Sequence, residues 1–167
     1  MVSRDANPQD APALVALFQQ VFHETFGHLY RTADIEAFLA KHGEAQWSEQ
    51  LADPEISIRL VEDGGACAGY SKVGPLRLPA QPSGPAIELR QLYVAKAWHG
   101  TSVGRDLMDW TIAEARRRGA AELYLSVFTE NPRARRFYER YGFEEVGSYK
   151  FMVGEQADDD IILRLHL

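Results

Sequence analysis

One cysteine, Cys67, is all the chain contains, and that scarcity removes several classes of protein at once. No intramolecular disulfide can form and no cysteine cluster can hold zinc, so a reducing compartment, the cytoplasm, is expected. Cys67 itself sits in ACAGY, an apolar, strand-like run that predicts a buried and inert thiol. Long apolar stretches are missing as well. No run approaches the roughly 18 apolar residues a membrane helix needs, and MVSRDANPQD carries no apolar signal region. The expectation is a soluble protein with no membrane partner. A basic excess is also absent: 18 Lys and Arg stand against 24 Asp and Glu, a formal net charge of −6. Strong attraction to nucleic acid is thereby disfavoured. A cationic small molecule would be drawn to such a surface, although the same charge serves plain solubility.

What is present fits one domain. The 167 residues are 46% apolar and 25% charged, enough to bury a core without staples. Leu14, Leu17, Phe18, Val21, Phe22 and Thr25 recur at helical spacing and predict a helix over 9–26, with Asn7-Pro8 as its cap. Thr32 opens a second helix through about Lys41, and Glu44 to Ala52 form a third. ISIRLVED (56–63) and ACAGYSKVG (66–74) predict two strands joined by a tight turn at Gly64-Gly65. PLRLPAQPSGPA (75–86), with four prolines, is a surface loop. A strand over 86–95, a helix over 102–118, a strand over 121–127 and a helix from Asn131-Pro132 to about Arg140 follow. FEEVGSYKFMV and DIILRLHL close the chain as strands. No internal repeat occurs. The order predicts a mixed α/β (α+β) fold, helices against one sheet.

The stretch WHGTSVGRDLMDW, residues 98 to 110, raises a chemical question. Two glycines bracket Thr101-Ser102-Val103 at the opening of an amphipathic helix. First-turn N–H groups lack intrahelical partners, and the helix dipole adds positive charge there, so the loop suits an anion. A plain connective turn fits the same residues. GTSVGR lacks the lysine and hydroxyl of G-x-x-x-x-G-K-[ST], which excludes that triphosphate loop. It also lacks the G-x-G-x-x-G order of a dinucleotide fold. Downstream, ENPRARRFYERYGF sets Asn131 as a helix cap and Tyr138 seven residues on, along one helical face. By itself Tyr138 reads equally as a core aromatic with a wet hydroxyl.

Taken together, H-G-T-S-V-G at a helix start and N-P-R-A-R-R-F-Y-E-R-Y-G-F resemble the acetyl-CoA loop and following motif of the GCN5-related N-acetyltransferase (GNAT) superfamily. The preceding strand, ELRQLYV, fits as well, and the resemblance covers nearly the whole chain. ETF (24–26) and GSYKFMVG with DDDIIL near the end are similar to the bacterial spermidine/polyamine branch. The chain departs from the usual loop at His99 and Ser102, where glutamine or arginine and glycine are commoner.

The resemblance implies a mostly antiparallel sheet of six to seven strands, splayed at its centre with helices on both faces. It further implies direct transfer of an acetyl group from acetyl-CoA to a primary amine, without metal. Tyr138 matches the family tyrosine that protonates the leaving thiolate. Leu92, Tyr93 and Val94 would pair with the pantetheine arm, and the Val94 N–H is a candidate oxyanion donor. His99, Gly100, Thr101, Ser102, Val103, Gly104 and Arg105 form the pyrophosphate loop. Asn131 matches a cofactor-contacting asparagine, and Arg133 and Arg136 are candidates to neutralise phosphates, though each also fits a solvated helix face. Glu88 is the candidate base: alternation sets Glu88, Arg90, Leu92 and Val94 on one face, and related enzymes carry glutamate at that position. A carboxylate paired with Arg90 or solvent is the competing reading. Glu24, Phe26, Tyr30 and Tyr149 are candidates for the acceptor site, rings and carboxylate suiting a cation. The acidic run Asp158-Asp159-Asp160 adds negative potential, or is an ordinary acidic turn. A polyamine is the favoured acceptor. Peptide amines and a non-catalytic acyl-CoA sensor are the alternatives, the latter opposed by retention of Tyr138 and Asn131. A homodimer is common among similar enzymes.

Overall fold

The computed structural model describes every residue from Met1 to Leu167. Its elements are β1 (Val2–Asp5), a 3-10 turn (Pro8–Asp10), α1 (Ala11–Phe26), α2 (Thr32–Ala40), α3 (Glu44–Ala52), β2 (Ser57–Asp63), β3 (Ala66–Pro75) and β4 (Ala86–Val94). After a second 3-10 turn (Lys96–Trp98) come α4 (Val103–Arg117), β5 (Glu122–Phe128), α5 (Pro132–Arg140), β6 (Glu144–Val153) and β7 (Gln156–His166). The seven strands form one sheet in the order β1-β2-β3-β4-β5-β7-β6. Every pairing is antiparallel except β4 with β5.

Two expectations needed revision. β1 was not foreseen; it is four largely exposed residues with no apolar alternation, and it gains order only by pairing with β2 at the sheet edge. Arg4 then clamps it, donating to both Asp10 and Glu62. β7 begins at Gln156 rather than Asp160, because the polar residues Gln156 to Asp159 pair with β6 across a tight turn at Gly154, φ +59°. The Gly64-Gly65 turn has both residues at positive φ, 58° and 84°, which two glycines reach without strain.

The two faces of the sheet carry different cores. Leu14, Leu17, Phe18, Val21 and Phe22 of α1 and Trp47 of α3 cover Leu60 and Tyr70 on one face. On the other, Met108 and Ala115 of α4 and Tyr138 of α5 pack with Leu89, Leu123, Leu125, Ile161 and Leu163. Each fully buried large side chain contributes roughly 1.5–3 kcal/mol, so these two layers carry most of the stability. No helix is long and apolar enough to cross a membrane. Cys67 is half-buried, and burial pushes its thiol up to about 11, as befits an unreactive sulfur.

Helix α4 is locked in place at three points, which matters because its first turn faces the cavity described below. At its start, Val103 and Leu107 press onto Gly69 of β3. A Cβ there would lie 2.8 Å from the Tyr93 carbonyl and 3.0 Å from Val103, so only glycine permits this approach. In its middle, Thr111 Oγ1 donates to the Leu107 carbonyl at 2.8 Å, which leaves buried Ser71 Oγ to donate to Thr111 at 2.6 Å. At its end, the Glu114 carboxylate accepts from Arg117 at 2.7 Å, Arg118 at 2.8 Å and Ser57 Oγ at 2.8 Å. The Arg117 bond first, then those of Arg118 and Ser57, hold the Glu114 carboxyl down at about 2 against an ordinary 4.5. A depressed folded-state pKa gives stability that is complete above the unfolded value and is lost as pH falls through the folded one. Replacing Glu114 by Gln should therefore cost roughly 1–2 kcal/mol near pH 7, the exposed Arg117 arm adding little. The difference from wild type in urea titrations should shrink steadily from about pH 4.5 towards pH 2.

Candidate active site

β4 and β5 pair at only three positions, Ala86 with Glu122, Ile87 with Leu123 and Glu88 with Tyr124. Beyond them the strands part. Leu89 to Val94 and Leu125 to Phe128 become the walls of a cavity of about 820 Å³. Because the Ala95 N–H bonds the Ala68 carbonyl, antiparallel alternation commits the groups of Tyr93 and Ala95 to β3. Those of Leu92 and Val94 point into the gap. A β-bulge at Arg90, opposite the step from Lys72 to Val73, breaks the side-chain alternation of β4. Leu92 and Val94 consequently turn to the α4 side with Ile87 and Leu89. Tyr93 faces the α1 side.

One end of the cavity gathers unpaired N–H groups and cationic side chains. Gly100, at φ +80°, turns the chain into α4. The N–H groups of Gly100, Ser102, Gly104 and Arg105 donate to no protein acceptor, and that of Val103 reaches only Thr101 Oγ1 at 3.4 Å. Lys96, Arg105, Arg133 and Arg140 bring cationic side chains to the same end. A Cβ on Gly104 would point between Val94 and Phe137, each 3.9 Å away, so the bare helix start leaves a slot there. His99 bridges the gap: one ring nitrogen meets the Val94 carbonyl at 2.9 Å, the other meets Arg133. Arg133 can only donate, so Nδ1 accepts and Nε2–H is the donor to Val94. Burial, then the charge of Arg133 against the Val94 bond, holds this imidazole below its ordinary pKa and keeps it neutral.

The other end is an aromatic chamber. Phe26, Tyr30, Phe38, His42, Tyr93 and Phe151 line it. Phe38 stacks on Phe22 at 4.6 Å, and Phe151 meets Phe38 edge-on at 5.6 Å. The β6–β7 turn is hooked to the start of α2, where Asp34 accepts the Glu155 N–H at 3.1 Å and an Arg31 N–H at 2.8 Å. Gly154 lies so near Asp34 that a Cβ would stand 2.3 Å from its carboxylate. The Tyr30 hydroxyl is buried without a partner.

Tyr138 reaches the cavity from α5. Asn131 caps that helix through the Ala134 N–H at 3.2 Å, and Phe137 and Phe143 hold the ring edge-on at 5.4 and 5.6 Å. Its hydroxyl has no protein partner, and burial raises the phenol well above its ordinary pKa, so it is protonated at neutral pH.

Most of the residues singled out from the sequence meet here. Leu92, Tyr93, Val94, His99, Gly100, Thr101, Gly104, Arg105, Asn131, Arg133, Tyr138, Glu24, Phe26 and Tyr30 all line the cavity. Ser102 and Val103 supply backbone only; the Ser102 hydroxyl turns to Asp106, and the Val103 side chain is fully buried. Ser102 takes φ −73°, so serine replaces the usual glycine without strain. Glu88 stands apart from the cavity. Its carboxylate holds the proline-rich loop, accepting from the Arg77 N–H at 2.7 Å and the Leu78 N–H at 3.2 Å, and the bulge leaves it on the opposite face from Leu92 and Val94. Arg136 projects into solvent; Arg133, Phe137 and Arg140, at helical spacing, form the cavity face of α5 instead. Tyr149 lies outside the lining, although it pairs across the sheet with Asp160. Phe38, His42, Phe151 and Asp160 were not assigned to the site in advance. Asp160 was hidden in an acidic run that reads as a solvated turn.

With this geometry established, comparison with known proteins is informative. Residues 15–143 match the model of the acetyltransferase (GNAT) family. An uncharacterized N-acetyltransferase of Mycobacterium tuberculosis is 28% identical over 155 residues, covering 92% of this chain and 96% of the relative. PaiA N-acetyltransferase from Thermoplasma acidophilum, solved with coenzyme A, superposes with a TM-score of 0.81 over 99% of this chain and 98% of that one, at 16% identity. The ribosomal-protein-alanine N-acetyltransferase of Brucella melitensis gives 0.76 at 27% identity over 100% of both chains.

The hook at Asp34 generates a local prediction. Asp34→Ala should speed amide exchange at Glu155 and its turn neighbours roughly tenfold or more, while the amides of β3 and α4 keep wild-type protection. Uniform loss of protection would show that Asp34 serves the whole fold and not this turn.

Proposed function

The chain belongs to the acetyltransferase (GNAT) family and is an N-acetyltransferase; from that premise we propose that its cavity passes an acetyl group from acetyl-CoA directly to a small cationic primary amine, a polyamine first of all. The observation that carries this reading is the polarity of one continuous cavity, with donors and arginines at one end, aromatic rings and the buried Asp160 carboxylate at the other, and Tyr138 on its wall.

Several features of the chain suit the thioester substrate. The four free N–H groups from Gly100 to Arg105 match a pyrophosphate, with Arg105, Arg133 and Arg140 as counter-charges. The unpaired groups of Leu92 and Val94 match a pantetheine arm, whose amides pair as an added strand would. The coenzyme A held by the Thermoplasma neighbour supports the same assignment. The Val94 N–H then stabilises the developing oxyanion, and the Tyr138 phenol supplies a proton to the departing sulfur, whose pKa is about 8.5 by analogy with cysteine. The Val94 carbonyl is engaged by His99 in the free enzyme, so His99 releases it or turns with it as the arm enters.

The acceptor end supports a cation with an apolar body. Six aromatic or imidazole rings and the Asp160 carboxylate line it, and Glu24 lines the same cavity on the side of His99. Similarity to the Brucella ribosomal-protein-alanine enzyme favours a peptide amino terminus as the second reading. The ring-lined chamber and the buried Asp160 carboxylate favour the smaller, cationic acceptor. A cytoplasmic site of action is part of the proposal, supported by the lone free thiol.

The test is thiol release from acetyl-CoA across spermidine, other diamines, amino acids and an alanine-terminated peptide. Release with the polyamines and not with the peptide is expected. In the same assay Tyr138→Phe should cut kcat by roughly 10² to 10⁴ and leave the Kd for coenzyme A unchanged. Gly104→Ala should do the reverse. Its Cβ enters the slot between Val94 and Phe137, weakening coenzyme A binding about tenfold or more in calorimetry. The helix itself should gain up to about 1 kcal/mol.

A further inference from the structure

Asp160 is a buried carboxylate with no cation of its own. It is 8% exposed, lies on β7 directly opposite Phe128 of β5 at the open end of the splay, and lines the cavity. Its neighbours on every side fail to neutralise it. Lys150 of β6 is taken by Asp159, and Arg164, further along β7, is directed to Glu122 and Glu144. The cavity cations Lys96, Arg105, Arg133 and Arg140 belong to the anion end, and Arg90 spends its guanidinium on the Pro75 carbonyl. What faces Asp160 is Ser126 of β5, Tyr149 of β6, Tyr93 of β4 and, across the chamber, neutral His42 just beyond the end of α2, while Asp158, two residues back along β7, adds a like charge. Glu24 of α1 also lines the cavity, where its charge acts on His99. Buried charges in folded proteins are paired. Here the chain supplies the box and leaves out the cation.

We propose that Asp160 is the counter-ion of the acceptor ammonium and the base that takes its first proton, the role that Glu88, tied to the proline-rich loop, does not fill. The inference rests on the amine-acetylation reading of this cavity. The bookkeeping of the step balances. The ammonium gives one proton to the Asp160 carboxylate, and the free amine nitrogen bonds to the acetyl carbonyl carbon. The carbon–sulfur bond breaks, the sulfur takes the Tyr138 phenol proton, and the nitrogen of the adduct gives its second proton to the resulting phenolate. The Asp160 proton leaves to solvent with the product amide.

Energetics favour the placement. In water a carboxyl near 3.9 and an alkyl ammonium near 10.4 differ by roughly 6.5 units, a poor match for proton transfer. Burial first, then the charge of Asp158, with Asp159 adding to it against a bond from Ser126, pushes Asp160 up to about 6. In the empty cavity the gap is thus about 4 units; desolvation of the bound ammonium narrows it further, and its pairing with the carboxylate works in the opposite sense. A carboxyl whose folded pKa is raised weakens the fold as pH climbs through that range, so Asp160 is a group the fold carries at a cost.

The experiment is a pH profile of kcat/KM for spermidine with wild type, Asp160→Asn and Asp160→Ala, alongside coenzyme A calorimetry. Wild type should show an acidic limb near pH 6 that Asp160→Asn loses, with kcat/KM down about 10² to 10⁴ and the Kd for coenzyme A unchanged. Formate should restore part of the Asp160→Ala rate with saturation. Lys72 of β3, buried against Trp47 and Gln50 and lowered to about 7, and the cavity imidazoles His42 and His99, held below their ordinary 6.5, are the other groups near this window, and their limbs would persist in Asp160→Asn. Asp160→Asn should fold at least as well as wild type above pH 7, which near-UV circular dichroism and urea titration check. An active wild type with an unchanged limb and rate in Asp160→Asn overturns the role of Asp160 alone. A wild type inactive on every amine overturns the acetylation reading itself.

Discussion

The site depends on one refusal to pair. β4 and β5 run parallel for three residues and then separate, although both continue for several more. Leaving backbone groups such as those of Leu92 and Val94 without partners costs roughly 1–3 kcal/mol each when water is excluded, so the gap needs enforcement. The enforcement comes from the outer sides. β3 holds β4 through Val94, and β7 holds β5 along its whole length from Glu122 to Phe128. Each half-sheet is thereby held by its own outer strand, while Leu89, Leu123, Met108 and Tyr138 join the halves in one core. The bulge at Arg90 bends β4 where the halves diverge, and the rings of Phe137, Tyr138 and Tyr93 stand in the wedge.

Once the wedge exists, its chemistry follows from which chain ends meet there. The start of α4 points unpaired N–H groups and half a dipole charge at one end, and α5 adds arginines at the spacing of its exposed turns. At the other end the open edge of β5 and β7 meets α1 and α2, whose inward faces are aromatic because they also build the core. Phe22 and Phe38 thus serve packing and enclosure together. A net charge of −6 does not oppose an anionic ligand at the first end, because four cationic side chains are gathered locally. Distant carboxylates are screened within about 8–10 Å at physiological salt.

Much of this was legible in the sequence, and the failures have physical causes. Helical periodicity named the buried face of α1 correctly, since Leu14, Leu17, Phe18, Val21 and Phe22 recur where only a helix aligns them. The H-G-T-S-V-G and N-P-R-A-R-R-F-Y runs announced the anion end, because helix starts, caps and glycines are local signals. Glu88 misled because period-two alternation assumes a regular strand. One inserted residue at Arg90 reverses which side chains share a face, and a bulge leaves no mark that sequence alone reveals. The acceptor chamber was less legible because it is assembled from residues far apart in the chain. Phe38, His42, Phe151 and Asp160 come from α2 and its end, β6 and β7, and only the hook of the β6–β7 turn on Asp34 brings them together.

That hook also explains why an acidic run can carry two kinds of carboxylate. Along β7, Asp158, Asp159 and Asp160 alternate in direction as any strand requires. Asp159 faces out and meets Lys150, whereas Asp160 pairs opposite Phe128 and is drawn under the chamber. A turn in solvent would make the three equivalent, each hydrated and of no chemical interest. Pairing with β5 on one side and β6 on the other fixes which one is buried, and burial, reinforced by the charge of Asp158, lifts its proton affinity out of the ordinary carboxylate range. Sheet register, and not residue type, therefore turns one of three identical side chains into a base.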